Sequence, residues 1–145
     1  MRYGPPFRYA YREDGRRVAY QVVGEGDLDL VFLFGWPTPL GLMWENPSCA
    51  SFLRGLSSFS RLLLYDRVGG GLSDRGQTGY VFEDEMDDVR AVMAATGSRR
   101  AALFGCHTVK DLVAGAGYAF ADRGTLTLKG VPDSWQLYAV ELADP

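Results

Sequence analysis

Three short apolar runs, each closed by a residue that stops a strand, constrain this chain more than any other feature. They are Leu28 to Phe34 (LDLVFLF) before Gly35, Arg61 to Tyr65 (RLLLY) before Asp66, and Arg100 to Phe104 (RAALF) before Gly105. A nearly continuous apolar run, unlike an alternating one, marks a strand buried on both faces, as strands of parallel sheets are. Between the second and third runs lies VFEDEMDDVRAVMAATG. There Phe82, Met86, Val89, Met93 and Thr96 recur at helical spacing, the acids gather at the positive end of the helix dipole, and Gly97 stands as a C-cap. Strand, helix and strand with short connections form a parallel α/β unit. Ahead of them, residues 7 to 23 (FRYAYREDGRRVAYQVV) read as two strands about Asp14-Gly15, a dipeptide suited to a tight hairpin. The expected fold class is therefore α/β, with an opening antiparallel hairpin followed by parallel strands and helices.

Composition narrows the function classes. At 145 residues, 47% of them hydrophobic, the chain has material for one modest core. Acids outnumber bases 18 to 15, for a net charge of -3 without any basic stripe, so nucleic acid is not an expected partner. The two cysteines, Cys49 and Cys106, fit neither a disulfide framework nor a metal-ligand spacing, which points to a reducing, cytoplasmic setting. The first ten residues lack an apolar targeting segment, and the longest apolar run, LVFLFGW, is too short to cross a bilayer, so no membrane association is expected. The GEG and GGG clusters lack the spacing of phosphate-binding loops, and no cofactor is expected. The acidic run EDEMDD, residues 83 to 88, reads as a solvated helix face and not as a metal site.

In open α/β sheets, binding chemistry sits in the loops beyond the carboxyl ends of the strands. Here these loops are Gly35-Trp36-Pro37, then DRVGGGLSD from Asp66 to Asp74, then Gly105-Cys106-His107. In this order, residues 7 to about 106 resemble the α/β-hydrolase family. The resemblance implies an oxyanion-hole motif at Gly35 and Trp36, with the backbone N–H of Trp36 as donor, and a nucleophile elbow opening at Gly105. DRVGGGLSD is close to the family's turn after the fourth strand, though shifted by one position.

The elbow itself departs from the family's G-x-S-x-G. The five positions read Gly105, Cys106, His107, Thr108 and Val109, so histidine replaces the serine and a β-branched valine replaces the second glycine. Acyl transfer by serine needs a separate histidine base and an orienting acid, yet His107 is the only histidine of the chain. A Cys106–His107 dyad is disfavoured because neighbours at a strand end point to opposite faces; Cys49 reaching His107 across the site is a further arrangement. Neither a second histidine nor a CxxC accompanies His107 to make a zinc site. Trp36, Trp44 and Trp135 are candidates to line a substrate cleft, Trp36 most of all.

From Thr108 the text changes. TVKDLVAGAGYAFADRGTLTLKGVPDSWQLYAVE reads as a short helix, strand YAFA, turn DRGT, strand LTLKG, turn VPDS and strand WQLYAV. From Thr108 to Val140 it resembles the C-terminal end of class III adenylate/guanylate cyclase domains, through Asp122, Arg123, Gly124, Leu128, Lys129, Gly130, Val131, Pro132 and Trp135. The two resemblances imply a truncated α/β-hydrolase-like domain, residues 1–107, joined to a cyclase remnant, residues 108–145. The cyclase's metal-binding aspartates and nucleotide-holding asparagine and arginine precede the matching segment in that family, so cyclase activity does not carry over, and Asp111, Asp122 and Lys129 do not replace them.

Three readings follow: a hydrolase-like protein with little or no turnover, a module whose loops around Trp36 and Asp66 hold a small apolar ligand or ester without turning it over, and a non-functional deletion product. Ending a parallel sheet at its fifth strand exposes an edge open to self-association. The three strand-like segments after His107 are expected to cover it.

Overall fold

The computed structural model describes residues 4–34, 39–76, 79, 82–105, 118–127 and 134–142. The chain divides into two compact units, Met1–Cys106 and His107–Pro145. In the first, β1 (Arg8–Tyr11), β2 (Arg17–Val23), β3 (Asp29–Leu33), β4 (Arg61–Tyr65) and β5 (Ala102–Gly105) form one open sheet in the order β1-β2-β4-β3-β5. β1 and β2 pair antiparallel, β2 runs antiparallel to β4, and β3 lies parallel to both β4 and β5. The expected α/β class is what the chain adopts. The hairpin turn closes with Gly15 N–H donating to the Arg12 carbonyl and Arg12 N–H to the Arg16 carbonyl, both at 2.9 Å. Gly15 has φ +83, so the expected Asp-Gly turn is a three-residue loop with glycine in the left-handed position.

Helices cover both faces. α1 (Leu40–Glu45) and α2 (Pro47–Ser57) carry Leu40, Met43, Trp44, Ala50, Leu53 and Leu56 onto a core shared with Leu30, Phe32, Leu62 and Leu64. Neither helix is evident from the three apolar runs. Their local signal is Asn46-Pro47, in which the Asn46 side chain accepts the N–H groups of Ser48 and Cys49 and proline fills the first helical position. α3 (Phe82–Thr96) lies where its periodicity places it. Its end is a Schellman motif: Gly97, φ +67, donates to the Ala94 carbonyl and Ser98 to that of Met93. The buried stripe of α3 is Met86, Val89 and Val92, with Met93 only half-buried, so the helix is turned relative to the expected face.

The larger correction concerns the acidic run. It is only in part a solvated face: Glu83 is exposed and Asp84 and Asp87 half-buried, but Glu85 and Asp88 are buried, Asp88 completely. Asp88 Oδ1 accepts from Arg12 Nη1 (3.1 Å), Asp84 from Arg12 Nη2 (3.2 Å), and Glu85 from Tyr65 Oη (2.9 Å) and Arg67 Nη2 (3.0 Å). The partners stand on β1's end, on β4 and beyond it, far away in sequence, so helical periodicity alone counts these acids as outward-facing. Among the described residues no helix is long and apolar enough to cross a membrane.

In the second unit, β6 (Tyr118–Thr127) and β7 (Ser134–Leu142) form an antiparallel pair. DRGT is not a turn between two strands as expected. β6 runs through it with a bulge, the register passing from Asp122↔Tyr138 to Thr125↔Gln136. Gly124, φ +81, takes the conformation the bulge needs, and its N–H donates to Asp122 Oδ1 at 2.6 Å. Gln136 Nε2 donates to the same oxygen across the strands, and Thr125 Oγ1 donates to Gln136 Oε1 at 2.8 Å. The expected helix after Thr108, and most of the expected LTLKG end and VPDS turn, lie outside the described residues.

At the other end of the sheet Asp29 and Arg61 are register partners on β3 and β4. Arg61 Nε and Nη2 donate to the two oxygens of Asp29 at 2.5 and 2.7 Å, and Nη1 donates to the Thr96 carbonyl at the negative end of α3. The hydrogen bond from Arg61 holds the Asp29 carboxyl below the usual range, against the opposing effect of burial. A depressed folded-state pKa contributes stability that is present above the unfolded value and lost as pH falls through the folded one. Urea unfolding is therefore expected to show stability declining below about pH 4, and Asp29→Asn to lower neutral-pH stability by on the order of 1 kcal/mol while flattening that decline.

Candidate functional site

The carboxyl ends of β3 and β5 are adjacent, with Leu33 paired to Gly105 in parallel register, and β4 flanks β3 on its other side. Gly105 is the last residue of β5, at the strand end where the elbow was expected. Gly35, Trp36, Cys106 and His107 lie outside the described residues. The structure thus brings together the strand ends from which these candidate segments depart, and describes in full the third loop, Asp66 to Asp74.

That loop is tied inward at nearly every polar group. Asp66 is buried; its Oδ1 accepts the Leu40 N–H and its Oδ2 the Leu72 N–H, both at 2.9 Å. Ser73 Oγ donates to the Asp66 carbonyl (2.6 Å) and accepts from the Ala19 N–H (2.7 Å). The Asp66 N–H donates to the Ala19 carbonyl, the Val68 N–H to Asp88 Oδ2 (3.0 Å), and Arg17 grips Asp74 through its backbone N–H and guanidinium. Burial pushes the Asp66 carboxyl up, and the Leu72 and Leu40 N–H groups pull it down by less. The DRVGGGLSD turn is therefore anchored as a scaffold of the sheet's carboxyl end. Sequence reasoning noticed this turn only through its resemblance; the acid at a strand end followed by glycines was the available signal.

The apolar side of the region is aromatic. Phe32 has ring centroids 5.2 Å from Phe34, 5.9 Å from Phe52 and 5.5 Å from Phe104, and Phe52 and Phe104 lie 6.1 Å apart. Phe34, Phe52, Phe104 and the free thiol of Cys49 are only partly buried against the core. Trp44, by contrast, is a core residue: it is buried, and its indole N–H donates to Gln21 Oε1 at 2.8 Å while Gln21 Nε2 donates to the Pro5 carbonyl. It does not line a cleft. Trp135 stands on β7 of the second unit. Among the described residues no group of three or more His, Cys, Asp or Glu is arranged to hold a metal ion.

This order of strands and loops is shared with solved structures. An esterase from Rhodococcus sp. is similar at 32% identity and a TM-score of 0.60, covering 77% of this chain and 41% of its own. An enol-lactonase from Burkholderia xenovorans matches at 30% identity and 0.54, over 68% of this chain and 36% of its own. An alpha/beta hydrolase from Sphaerobacter thermophilus matches at 24% identity and 0.58, over 76% and 39%. No family model matches the chain, and no curated protein does. The open sheet of the first unit is part of an α/β-hydrolase fold. The chain spans about two fifths of the length of these structures.

The three glycines of the turn are not equivalent. Gly71 has φ +51 and a Cβ there would overlap the Asp66 carboxylate, whereas a Cβ at Gly70 would meet only the Arg67 carbonyl at 3.6 Å. Gly71→Ala is expected to cost about 1–3 kcal/mol in urea unfolding, and Gly70→Ala to stay within about 0.5 kcal/mol of the parent.

Proposed function

We propose that the first unit descends from an ester-type α/β-hydrolase and that, as it stands in these 145 residues, it binds an ester or similar small apolar molecule without turning it over. The observation that carries this reading is the content of the elbow. Gly105 ends β5 at the strand end where the fold places its nucleophile, and the residues that follow are Cys106 and His107, the latter the only histidine of the sequence. A histidine in the serine's place has no second histidine to act as base. The similarity to an esterase and an enol-lactonase supports the substrate class, since esters and lactones share an ester-type carbonyl group. Gly35 and Trp36 keep the role of oxyanion-side donors in this proposal. The same reading takes residues 108–145 as a cyclase-domain remnant without cyclase activity, and the 107/108 junction as its boundary with residues 1–107. β5, paired on one side by β3, is the strand through which self-association would occur.

The binding reading has its own support in the aromatic cluster. Phe34, Phe52 and Phe104 leave part of their surface uncovered beside the strand ends, which suits an apolar or aromatic ligand.

With p-nitrophenyl acetate and butyrate, the purified chain and a His107→Ala variant are both expected to hydrolyse at the rate of buffer alone. Hydrolysis that disappears in His107→Ala would overturn the loss of turnover. For binding, equilibrium dialysis of a non-hydrolysable aryl amide analogue is expected to show saturable uptake reduced at least tenfold by Phe104→Ala; uptake that is absent, or unchanged by that substitution, would overturn the ligand-binding reading.

A further inference from the structure

Asp66 is a buried carboxylate of the first unit whose two side-chain oxygens each hold a backbone N–H group. It joins two separate pieces of chain: Leu40, which opens α1, and Leu72, in the glycine-rich turn. The geometry leaves no slack, because Gly71 presses its Cα side against the carboxylate and has no room for a Cβ. Charged groups surround the loop yet are committed elsewhere. Arg67 reaches Glu85, Arg17 holds Asp74, and Arg12 holds Asp84 and Asp88. Among the described residues, on β2, α1, α3 and the loop itself, none forms an ion pair with Asp66.

We propose that Asp66 is a proton-operated latch between the start of α1 and the 66–74 turn: ionised, it accepts from Leu40 and Leu72 together; protonated, one oxygen becomes an O–H donor and that tie is released. A hydroxyl facing an N–H sets donor against donor, so the two ties cannot both persist in full strength. Burial raises the Asp66 pKa, which puts the release above the ordinary aspartate range of about 3.9. Asp14, Asp29 and Asp74 are all depressed by arginine hydrogen bonds and titrate below that range. The sign of the linkage separates the two events. A raised folded-state pKa favours the folded chain as pH falls, so opening the latch does not by itself destabilise the fold, whereas protonating the depressed acids removes stability. Mild acid therefore loosens the α1 start locally before the sheet is affected. In sequence Leu40 follows the candidate donors Gly35 and Trp36 by only a few residues, which connects the latch to the proposed site without requiring turnover there.

The test is a pH titration of the full chain followed by amide nuclear magnetic resonance and hydrogen exchange. The Leu40 and Leu72 amides are expected to shift with one common midpoint above 4, and to exchange at least tenfold faster relative to Leu63 below that midpoint than above it, once intrinsic rates are corrected. The Val68 amide, bound to Asp88, serves as the internal control and should not share the step. In Asp66→Asn the common step should vanish. Separate midpoints for Leu40 and Leu72, a midpoint at or below the ordinary aspartate value, or a step shared by Val68 would each overturn the latch. The titration of the unsubstituted chain decides the question even if Asp66→Asn does not fold. It also stands whether or not any ester binds, so its failure is distinct from failure of the functional reading.

Discussion

The first unit depends on a buried guanidinium. Arg12 closes the opening hairpin through its own backbone, yet its side chain is 4% exposed and lies between β1's end and α3. Removing a guanidinium from water is costly unless its charge is matched and its donors are used. Asp88, with no exposed side-chain surface, and Asp84 supply the match, at 3.1 and 3.2 Å. The second oxygen of Asp88 then accepts the Val68 N–H, so one ion pair fixes the hairpin, the helix and the loop beyond β4 relative to each other. The acids of the helix's first half would otherwise repel one another. Arg12 converts that repulsion into the contact that seats α3.

This also explains what could be read in the sequence and what could not. Leu62, Leu63 and Leu64 are fully buried, and an uninterrupted apolar run can mean little else in a chain of this size. Gly97 likewise marks the end of α3 through a local rule. The acidic run was misleading because its partners are distant: Arg12 precedes Asp88 by 76 residues, and no periodicity reveals such a pairing. α1 and α2 were missed because their apolar positions are few and their signal, Asn46-Pro47, is a cap rather than a pattern. In the second unit the Asp-Arg-Gly stretch has turn composition, but a glycine with positive φ serves a bulge as well as a turn. Sequence alone does not choose between the two. Of the candidate site, the strand end at Gly105 was legible, while the structural use of Asp66, Ser73 and Asp74 was not.

The glycine-rich turn illustrates how a loop at the carboxyl end of a sheet can be taken up by holding its neighbours in place. Its hydroxyl, its two carboxylates and its arginine are all engaged by the protein itself, through Ala19, Leu40, Arg17 and Glu85, the Arg17–Asp74 pair at the surface. A loop so engaged has little freedom to reshape around a substrate. What it offers instead is placement: β2, β4 and α1 meet at Asp66, and α3 joins them through Asp88. In the proposed reading the ligand is met instead beside the carboxyl ends of β3 and β5, where Phe34 and Phe104 remain partly uncovered.

Burial across the sheet supports the same division. β4 sits in the middle, covered by α1 and α2 on the face of Leu62 and Leu64, while Tyr65 on the opposite face hydrogen-bonds α3 through Glu85. Toward β5 the coverage thins, and Leu103 and Phe104 are only half-buried. The apolar free energy that holds the sheet is thus concentrated in β2, β4 and β3, at roughly 1.5–3 kcal/mol for each fully buried leucine or valine. β5 adds one ladder of hydrogen bonds and the stacking of Phe104 on Phe32. A strand held mainly by its neighbour's edge and the contacts of Phe104 with Phe32 and Phe52 can accommodate changes at its carboxyl end that β4 could not. That asymmetry gives a physical reason why the sequence after Gly105 could depart from G-x-S-x-G while the sheet behind it kept its fold.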